Sequence, residues 1–279
     1  MVIVLGFTGI LGELISIKSI DLVFYRMLFS FIALFIFLSF RKEIFNISKR
    51  KAVELLLIGM VVALHWIFFF KSIKISVPIA VISLSTSSLF SSIIEPIIFR
   101  KKVNIYEVIL GIVIILSFIM MYFTSESYFG LAYFYGIIAA FLAALFTILN
   151  AKYINVVKSS QITMIEMLGG TILISLYLIF TSNLSVFSFN IQSSDLMYLL
   201  ILSVICTSLV FVLMTEIMKY ISPYTLIMAI NLEPVYAIIL AFLILHNEEK
   251  MNHYFYIGSF VIILSIYLEH YFKKKSISK

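Results

Sequence analysis

The sequence predicts an all-α integral membrane protein with about ten transmembrane helices in two inverted five-helix repeats. Of its 279 residues, 63% are hydrophobic and only 12% are charged. A soluble domain carries about a quarter charged residues, so this chain has too few charges to cover a water-facing surface. Basic residues cluster in short segments between apolar runs, and the two halves of the chain resemble each other weakly. These observations together define the predicted fold.

A helix that crosses the hydrocarbon core of a bilayer needs about 17–25 predominantly apolar residues. Ten segments meet this requirement, and the connections between them are too short to form a soluble domain. The first segment lacks a basic start and a small-residue cleavage site, so we interpret it as a short span and not as a removable signal peptide. The predicted spans are residues 1–17, 22–40, 52–73, 76–99, 103–123, 129–151, 161–181, 195–218, 222–245 and 253–272.

The distribution of lysine and arginine predicts the orientation in the membrane. If ten helices alternate from a cytoplasmic N-terminus, fifteen basic residues lie inside and four outside, with Arg26 left within a span. Cytoplasmic loops are enriched in these residues, so we expect both termini on the cytoplasmic side of the cell membrane. The net charge of +6 is explained by basic loops that face anionic lipid headgroups. We therefore expect membrane lipids, and no nucleic acid, as partners.

Two pairs of matching segments relate the halves of the chain. The stretch LISIKSIDLVFYR can be aligned with YINVVKSSQITMIE, which pairs Arg26 with Glu166, and the helix starts ISVPIAVIS and ISPYTLIMA match as well. Five predicted helices separate equivalent points, and because five is odd the second copy must be inverted. We predict repeats at residues 1–124 and 125–279 within one membrane domain. Inverted repeats are a common device of secondary transporters.

Arg26 lies just inside the outer end of the second predicted helix. A charge within a span costs about 2.5–3.5 kcal/mol on insertion scales, so such residues usually face a cavity or a partner. Arg26 is a candidate anchor for a carboxylate or phosphate group of a substrate. The alternative is an interfacial arginine whose side chain reaches outward to the headgroups, or one that pairs with a helix end.

The fourth predicted helix has one polar face. Ser88, Ser92 and Glu95 follow helical spacing, and Pro96 leaves the carbonyl of Ser92 without its usual helical donor. Close packing against another helix also uses small hydroxyl residues, but packing alone does not call for a carboxylate. The pattern therefore favours a water-filled pathway along this face.

The ninth predicted helix contains a second Glu-Pro pair, Glu233 and Pro234, preceded by Asn231. Pro96 and Pro234 lie inside their helices and are expected to kink them. A kink beside a carboxylate suits a gate or a proton-titrating site, and a purely structural bend is the alternative.

His65 and Trp66 lie near the middle of the third predicted helix. A histidine at this depth can titrate or hydrogen-bond a substrate, although it can also be a packing residue. The four histidines of the chain form no metal-binding pattern, and no Walker A, dinucleotide or nucleophile motif is found. The single cysteine, Cys206, cannot build a disulfide framework. We therefore predict no catalytic residue, no metal ligand and no cofactor.

Three kinds of stretch carry a family resemblance: FYRMLFSF at Phe24–Phe31, the two helix starts quoted above, and NLEPVYAIILAFLILHNEE at Asn231–Glu249. They resemble the EamA-like ten-helix branch of the drug/metabolite transporter superfamily. The family has a Gly-Glu pair after the last apolar run, where this chain has His246-Asn247-Glu248. The resemblance implies two inverted five-helix repeats around a central cavity walled by helices 1, 3, 4, 6, 8 and 9. It also implies secondary transport, often export, of amino acids or similar metabolites.

The sequence thus leads us to expect alternating-access transport of a small metabolite without covalent chemistry. A passive channel for small solutes, a membrane-embedded lipid-modifying enzyme and a non-transporting scaffold are the alternatives. Protons are a candidate coupling ion, carried by a carboxylate that proton and substrate share. The residues expected to line the substrate route are Arg26, His65, Trp66, Ser88, Ser92, Glu95, Asn231 and Glu233.

Overall fold

The computed structural model describes residues 1–43, 47–124, 129–181, 186–187, 189, 191–233, 236 and 252–277. These residues form helices and turns and contain no β-strand, which confirms the all-α prediction. The first half contains α1 (Val2–Leu14), α2 (Ser19–Phe40), α3 (Lys49–Ile73), α4 (Val77–Ser83), a 3₁₀ turn (Leu84–Thr86), α5 (Ser87–Phe99) and α6 (Ile105–Thr124). The second half contains α7 (Gly130–Asn150), α8 (Ser159–Phe180), α9 (Ser193–Ser203), a π-helical turn (Val204–Leu209), α10 (Val210–Ile217), α11 (Pro223–Ile230) and α12 (His253–Ile277).

Seven helical segments of the described chain are long and apolar enough to cross a membrane. Two shorter apolar helices accompany them, Val2–Leu14 and His253–Ser265. Much of the span predicted at residues 222–245 falls outside the described residues, which place its first part in α11. The seven segments are Ser19–Phe40, Lys49–Ile73, Val77–Phe99, Ile105–Thr124, Gly130–Asn150, Ser159–Phe180 and Ser193–Ile217.

Two spans that the sequence predicts as continuous helices are interrupted. Residues 76–99 contain the tighter 3₁₀ turn at Leu84–Thr86, and residues 195–218 contain the wider π-helical turn at Val204–Leu209. Neither interruption coincides with a proline. Pro96 lies within α5, where its kink stays a prediction, and Pro234 lies outside the described residues.

The starts of α4 and α11 are built alike. The Ser76 hydroxyl accepts a hydrogen bond from the backbone nitrogen of Ile79, and the Ser222 hydroxyl accepts one from that of Thr225. A proline follows each cap within the first helical turn, where its missing N–H costs nothing. The local sequence therefore explains why both helices begin where they do.

Several ionisable side chains are buried in this protein, while many large apolar side chains are exposed. Arg26 and Glu166 are buried, with 1% and 0% of their surface exposed, whereas Phe40 and Phe180 expose 85% and 84%. In water this arrangement would be strongly unfavourable, because it hides charges and exposes aromatic rings. In a bilayer it is expected, since ionisable groups turn away from the hydrocarbon.

Helices α3 and α8 pack with their backbones in contact. A Cβ atom built on Gly59 would lie 2.0 Å from the carbonyl oxygen of Glu166, and one built on Gly169 would lie 2.2 Å from that of Leu56. Small residues allow this close approach between membrane helices. Helix α3 also packs against α7 and α4, so it is a central element of the bundle.

We predict that Gly59→Ala destabilises the bundle, because the added methyl group would clash with backbone that cannot move aside. The expected loss of unfolding free energy is about 1–3 kcal/mol, measured by titrating the protein in detergent micelles with sodium dodecyl sulfate. Gly130→Ala is the matched control, since its Cβ would have Tyr122 Oη as nearest neighbour at 3.8 Å. Equal stability of the two variants would contradict the close packing of α3 and α8.

Candidate functional site

A cavity lies among helices from both halves of the chain. It contains about 620 Å³ of space between atoms, part of it open to solvent. Small-molecule sites usually combine apolar walls with a few polar groups. This cavity has that character. Its lining residues are Leu5, Thr8, Arg26, His65, Trp66, Phe69, Leu84, Ser87, Ala143, Phe146, Thr147, Phe211, Met214, Ile227, Ile230, Asn231 and Glu233.

Arg26, from α2, is almost completely buried in the cavity wall, with 1% of its surface exposed. Its Nε donates a hydrogen bond to Oγ1 of Thr207 over 2.7 Å. Among the described residues its Nη1 has no hydrogen-bond partner. Leaving a buried donor unpaired costs about 1–3 kcal/mol, and more when the group is charged. The side chain is thus buried in the protein beside the cavity, with one charged donor left unpaired among the described residues.

An aromatic wall supports this guanidinium. The Arg26 guanidinium carbon lies 3.8 Å from the centroid of the Trp66 ring, a cation–π arrangement. Trp66 packs edge-on against Phe211, and Phe211 stacks on Phe146, with centroid distances of 5.2 and 5.8 Å. These rings come from α3, α10 and α7. They form an apolar surface directly beside the charged group.

His65 lines this cavity, and a backbone contact places a proton on one of its ring nitrogens. Its Nδ1 lies 2.8 Å from the backbone oxygen of Ala139. A carbonyl oxygen only accepts hydrogen bonds, so Nδ1 carries a proton, and when the ring is neutral Nε2 is an acceptor. The ring is held between Phe69 and Phe146. His65 is therefore both packed and able to accept one hydrogen bond from a ligand.

Glu233 and Asn231 complete the polar part of the wall. Glu233 is 4% exposed and interacts electrostatically with Arg26. The ion pairs found within 4.0 Å among the described residues do not join these two groups. Asn231 bridges back to the interrupted helix, since its Nδ2 donates to the carbonyl of Ser85 at 3.4 Å. The cavity therefore holds a guanidinium and a carboxyl group that lie more than 4.0 Å apart.

The polar face of α5 lies away from the cavity lining. The hydroxyls of Ser88 and Ser92 donate to the carbonyls of Ser85 and Leu89 in their own helical segment. Glu95 is 6% exposed, and its carboxylate is already engaged. One oxygen accepts from Lys101 Nζ and the other from the backbone nitrogen of Tyr224, both at 2.9 Å. Glu95 thus caps the start of α11.

The structure brings together five of the residues expected on the route and separates three. One cavity is lined by Arg26, His65, Trp66, Asn231 and Glu233. The other three, Ser88, Ser92 and Glu95, lie further along α5 than Ser87, which is the last residue of that helix to line the cavity.

Sequence reasoning missed the aromatic partners Phe146 and Phe211, because phenylalanine in an apolar run carries no signal of its position. It also missed Thr207, whose contact with Arg26 depends on a π-helical turn that no sequence pattern marks.

Glu166, which the repeat pairs with Arg26, lies outside this cavity lining. It is fully buried, and neither carboxylate oxygen has a hydrogen-bond partner among the described residues. The side chain of Asn150 lies near this carboxyl. The backbone of Glu166 meets Gly59, in the tight contact between α3 and α8.

Comparisons with known proteins find a solved structure of similar fold and a matching family. The description "EamA-like transporter family" belongs to a family model that matches residues 1–123 and 130–269. A solved crystal structure aligns with a TM-score of 0.66 at 12% identity, and the match covers 95% of each chain. No curated protein matches the sequence. Since the family match spans most of the chain, the expected resemblance is confirmed: the chain belongs to the EamA-like transporter family and is a multi-pass membrane transporter of small solutes.

Proposed function

We propose that this protein is a secondary transporter that exports an amino acid or related zwitterionic metabolite across the cell membrane by alternating access. The observation that carries the proposal is the cavity in which a buried guanidinium and a buried carboxylate lie apart. Both groups have lost water on burial, and neither neutralises the other by direct contact. A ligand with one negative and one positive end would satisfy both.

The chemistry of the wall suggests how such a ligand binds. Its carboxylate would accept hydrogen bonds from the Arg26 guanidinium, whose planar donors match a carboxylate. Its ammonium would donate to Glu233 and to Nε2 of His65. The ligand side chain would lie against the rings of Phe146 and Phe211. Because hydrogen bonds are stronger in a site with little water, these contacts would discriminate sharply against ligands lacking one charge.

Two surface depressions support the inverted repeat of residues 1–124 and 125–279. One is formed by residues 16–20, between α1 and α2, together with Lys71 and Lys74 near the end of α3. The other is formed by residues 154–158, between α7 and α8, together with Lys219 after α10. In a ten-helix count these are the same elements of each half. The matched cap motifs of α4 and α11, and the family match in two segments, fit the same relation.

The sidedness follows from this repeat and the basic loops. With both termini cytoplasmic, the turn after α1 faces outward and the start of α11 faces the cytoplasm. At the outer end, Asp195 accepts hydrogen bonds from the backbone nitrogen of Ser16 at 3.0 Å and from its hydroxyl at 2.6 Å. At the cytoplasmic end, Glu95 accepts the bond from Tyr224. Each contact joins the first half to the second.

Alternating access requires contacts at one end to break while those at the other end hold. We assign the Ser16–Asp195 contact to the outer gate and the Glu95–Tyr224 contact to the cytoplasmic gate. The face of α5 carrying Ser88 and Ser92 would line the route between the cavity and the cytoplasmic gate. Pro96 and Pro234 would act as hinges next to the glutamates that precede them. A proton shared with Glu233 would provide coupling.

The first test uses Trp66, which is the only tryptophan of the chain and contacts Arg26. We expect L-leucine to change Trp66 fluorescence saturably in the purified protein. Isoamylamine and 4-methylpentanoate, which lack the carboxylate and the amine respectively, should bind about tenfold or more weakly, because each leaves one buried charge unpaired. Binding of both analogues as tightly as leucine would contradict a zwitterion site.

The second test measures counterflow of radiolabelled L-leucine in proteoliposomes. Arg26→Lys and Glu233→Gln should each reduce the rate about tenfold or more, since each weakens one charged contact. Arg41→Gln, which changes an exposed arginine at the end of α2, is the control and should match the wild type. Absence of counterflow in the wild type, with non-saturating flux, would instead indicate a passive channel.

Glu95→Gln separates gating from binding. The substitution removes the charge that holds Lys101 and weakens the cap on Tyr224, so the cytoplasmic-closed state should be less populated. We expect counterflow to fall about threefold or more, while leucine affinity measured through Trp66 stays unchanged. A loss of affinity with unchanged turnover would place Glu95 in the binding site and not in a gate.

A further inference from the structure

A buried polar network surrounds the π-helical turn between α9 and α10. The Thr207 hydroxyl donates to the carbonyl oxygen of Leu202 over 2.7 Å, and the Ser208 hydroxyl lies 3.0 Å from the carbonyl oxygen of Ser203. Each bond reaches back five residues, as the wide π turn requires. Thr207 and Ser203 have no exposed surface. Turns of this kind are rare in helices and are often found at functional sites.

The same threonine holds the cavity arginine. Because its hydrogen is used on Leu202, the Thr207 oxygen has its lone pairs left for the Nε of Arg26, which donates to it over 2.7 Å. The Trp66 ring supports the guanidinium at 3.8 Å. These two contacts engage the Nε edge and one face of the group. The Nη1 donor is left without a partner among the described residues.

The backbone of α2 is fastened to the same turn. The Ser30 hydroxyl lies 2.7 Å from the carbonyl oxygen of Arg26 and 2.8 Å from that of Ser203. The Ser208 hydroxyl lies 3.4 Å from the carbonyl oxygen of Ser30. The π turn of the second half therefore sets the position of α2 as well as the orientation of the arginine side chain.

We propose that Thr207 is a positioning residue for the anionic group of the substrate. It holds the guanidinium of Arg26 against Trp66, so that the remaining donors keep the orientation that a ligand carboxylate needs. Without the Thr207 hydroxyl, the guanidinium would be free to leave the Trp66 ring. The ligand carboxylate would then lose its aligned partner, while the contact between the ligand ammonium and Glu233 would stay. The inference rests on the proposed zwitterion site.

The test compares Thr207→Val, which keeps the shape but removes the hydroxyl, with Thr207→Ser, which retains the hydroxyl. Thr215→Val is the matched control, since Thr215 is buried on α10 and its hydroxyl donates only to the carbonyl of Phe211 among the described contacts. Trp66 fluorescence is titrated with L-leucine and with isoamylamine in each full-length purified variant. The emission spectrum without ligand is recorded as a second readout.

Thr207→Val should weaken leucine binding about tenfold or more, because the lost bond involves a charged donor. Isoamylamine, which has no carboxylate, should bind within about twofold of its wild-type affinity. Thr207→Ser and Thr215→Val should behave as the wild type. The ligand-free emission of Trp66 should change in Thr207→Val alone, since the guanidinium leaves the ring.

Unchanged leucine affinity in Thr207→Val, or equal weakening of both ligands, would overturn the positioning role. If wild-type protein binds no leucine, the proposed substrate class fails, and the ligand-free emission then decides the role of Thr207. A spectrum of Thr207→Val identical to that of Thr215→Val would overturn it. A shift confined to Thr207→Val would support it.

Discussion

The guanidinium of Arg26 is surrounded by protein, on a helix that is long and apolar enough to cross a bilayer. Hydrocarbon offers no hydrogen-bond partner, so its contacts have to come from the protein or from the contents of the cavity. Trp66 supports one face and Thr207 accepts from Nε, while Nη1 has no partner among the described residues. A protein selected only for stability would pair or remove such a group, since buried unpaired charges are strongly destabilising. Retaining it fits a site whose missing partner is a bound anion.

Close packing between helices stabilises the part of the bundle that holds this charge. Backbone contact between α3 and α8, allowed by Gly59 and Gly169, holds the helix that carries His65 and Trp66. The 3₁₀ turn and the π-helical turn, which interrupt two of the spans, both border the cavity. Leu84 of the 3₁₀ turn lines the cavity, and Thr207 of the π turn contacts its arginine. One irregular turn in each half therefore shapes the same central space.

The sequence predicted the all-helical class because length and hydropathy alone decide it, while the count of ten spans stays a prediction. It predicted the family from short motifs. Five residues that the sequence predicted on a substrate route line one cavity, since ionisable or amide groups are rare within spans and usually face the interior: Arg26, His65, Trp66, Asn231 and Glu233. Their role in transport stays a prediction. Ser88, Ser92 and Glu95 lie outside that lining, because helical spacing shows a shared face but not which neighbour that face meets. The cap that Glu95 provides to Tyr224 joins residues far apart in the chain. No local pattern reports such a contact.

The roles of Thr207 and Phe146 were unpredictable for a related reason. A threonine and a phenylalanine in apolar runs are compatible with lipid, packing or a cavity, and only the arrangement of helices distinguishes these environments. The π turn adds a change of register that the residues Val204–Leu209 do not announce. By contrast, the caps at Ser76 and Ser222 could be recognised from their own sequence, since their partners lie within three residues.

The central claim is that a carboxylate of the ligand accepts hydrogen bonds from the Arg26 guanidinium in the cavity. A structure determined with bound L-leucine tests it most directly. The account predicts a carboxylate oxygen of the ligand within about 3.5 Å of a guanidinium nitrogen of Arg26, with the ligand ammonium toward Glu233. Leucine bound elsewhere, or a direct Arg26–Glu233 ion pair in the liganded protein, would contradict it.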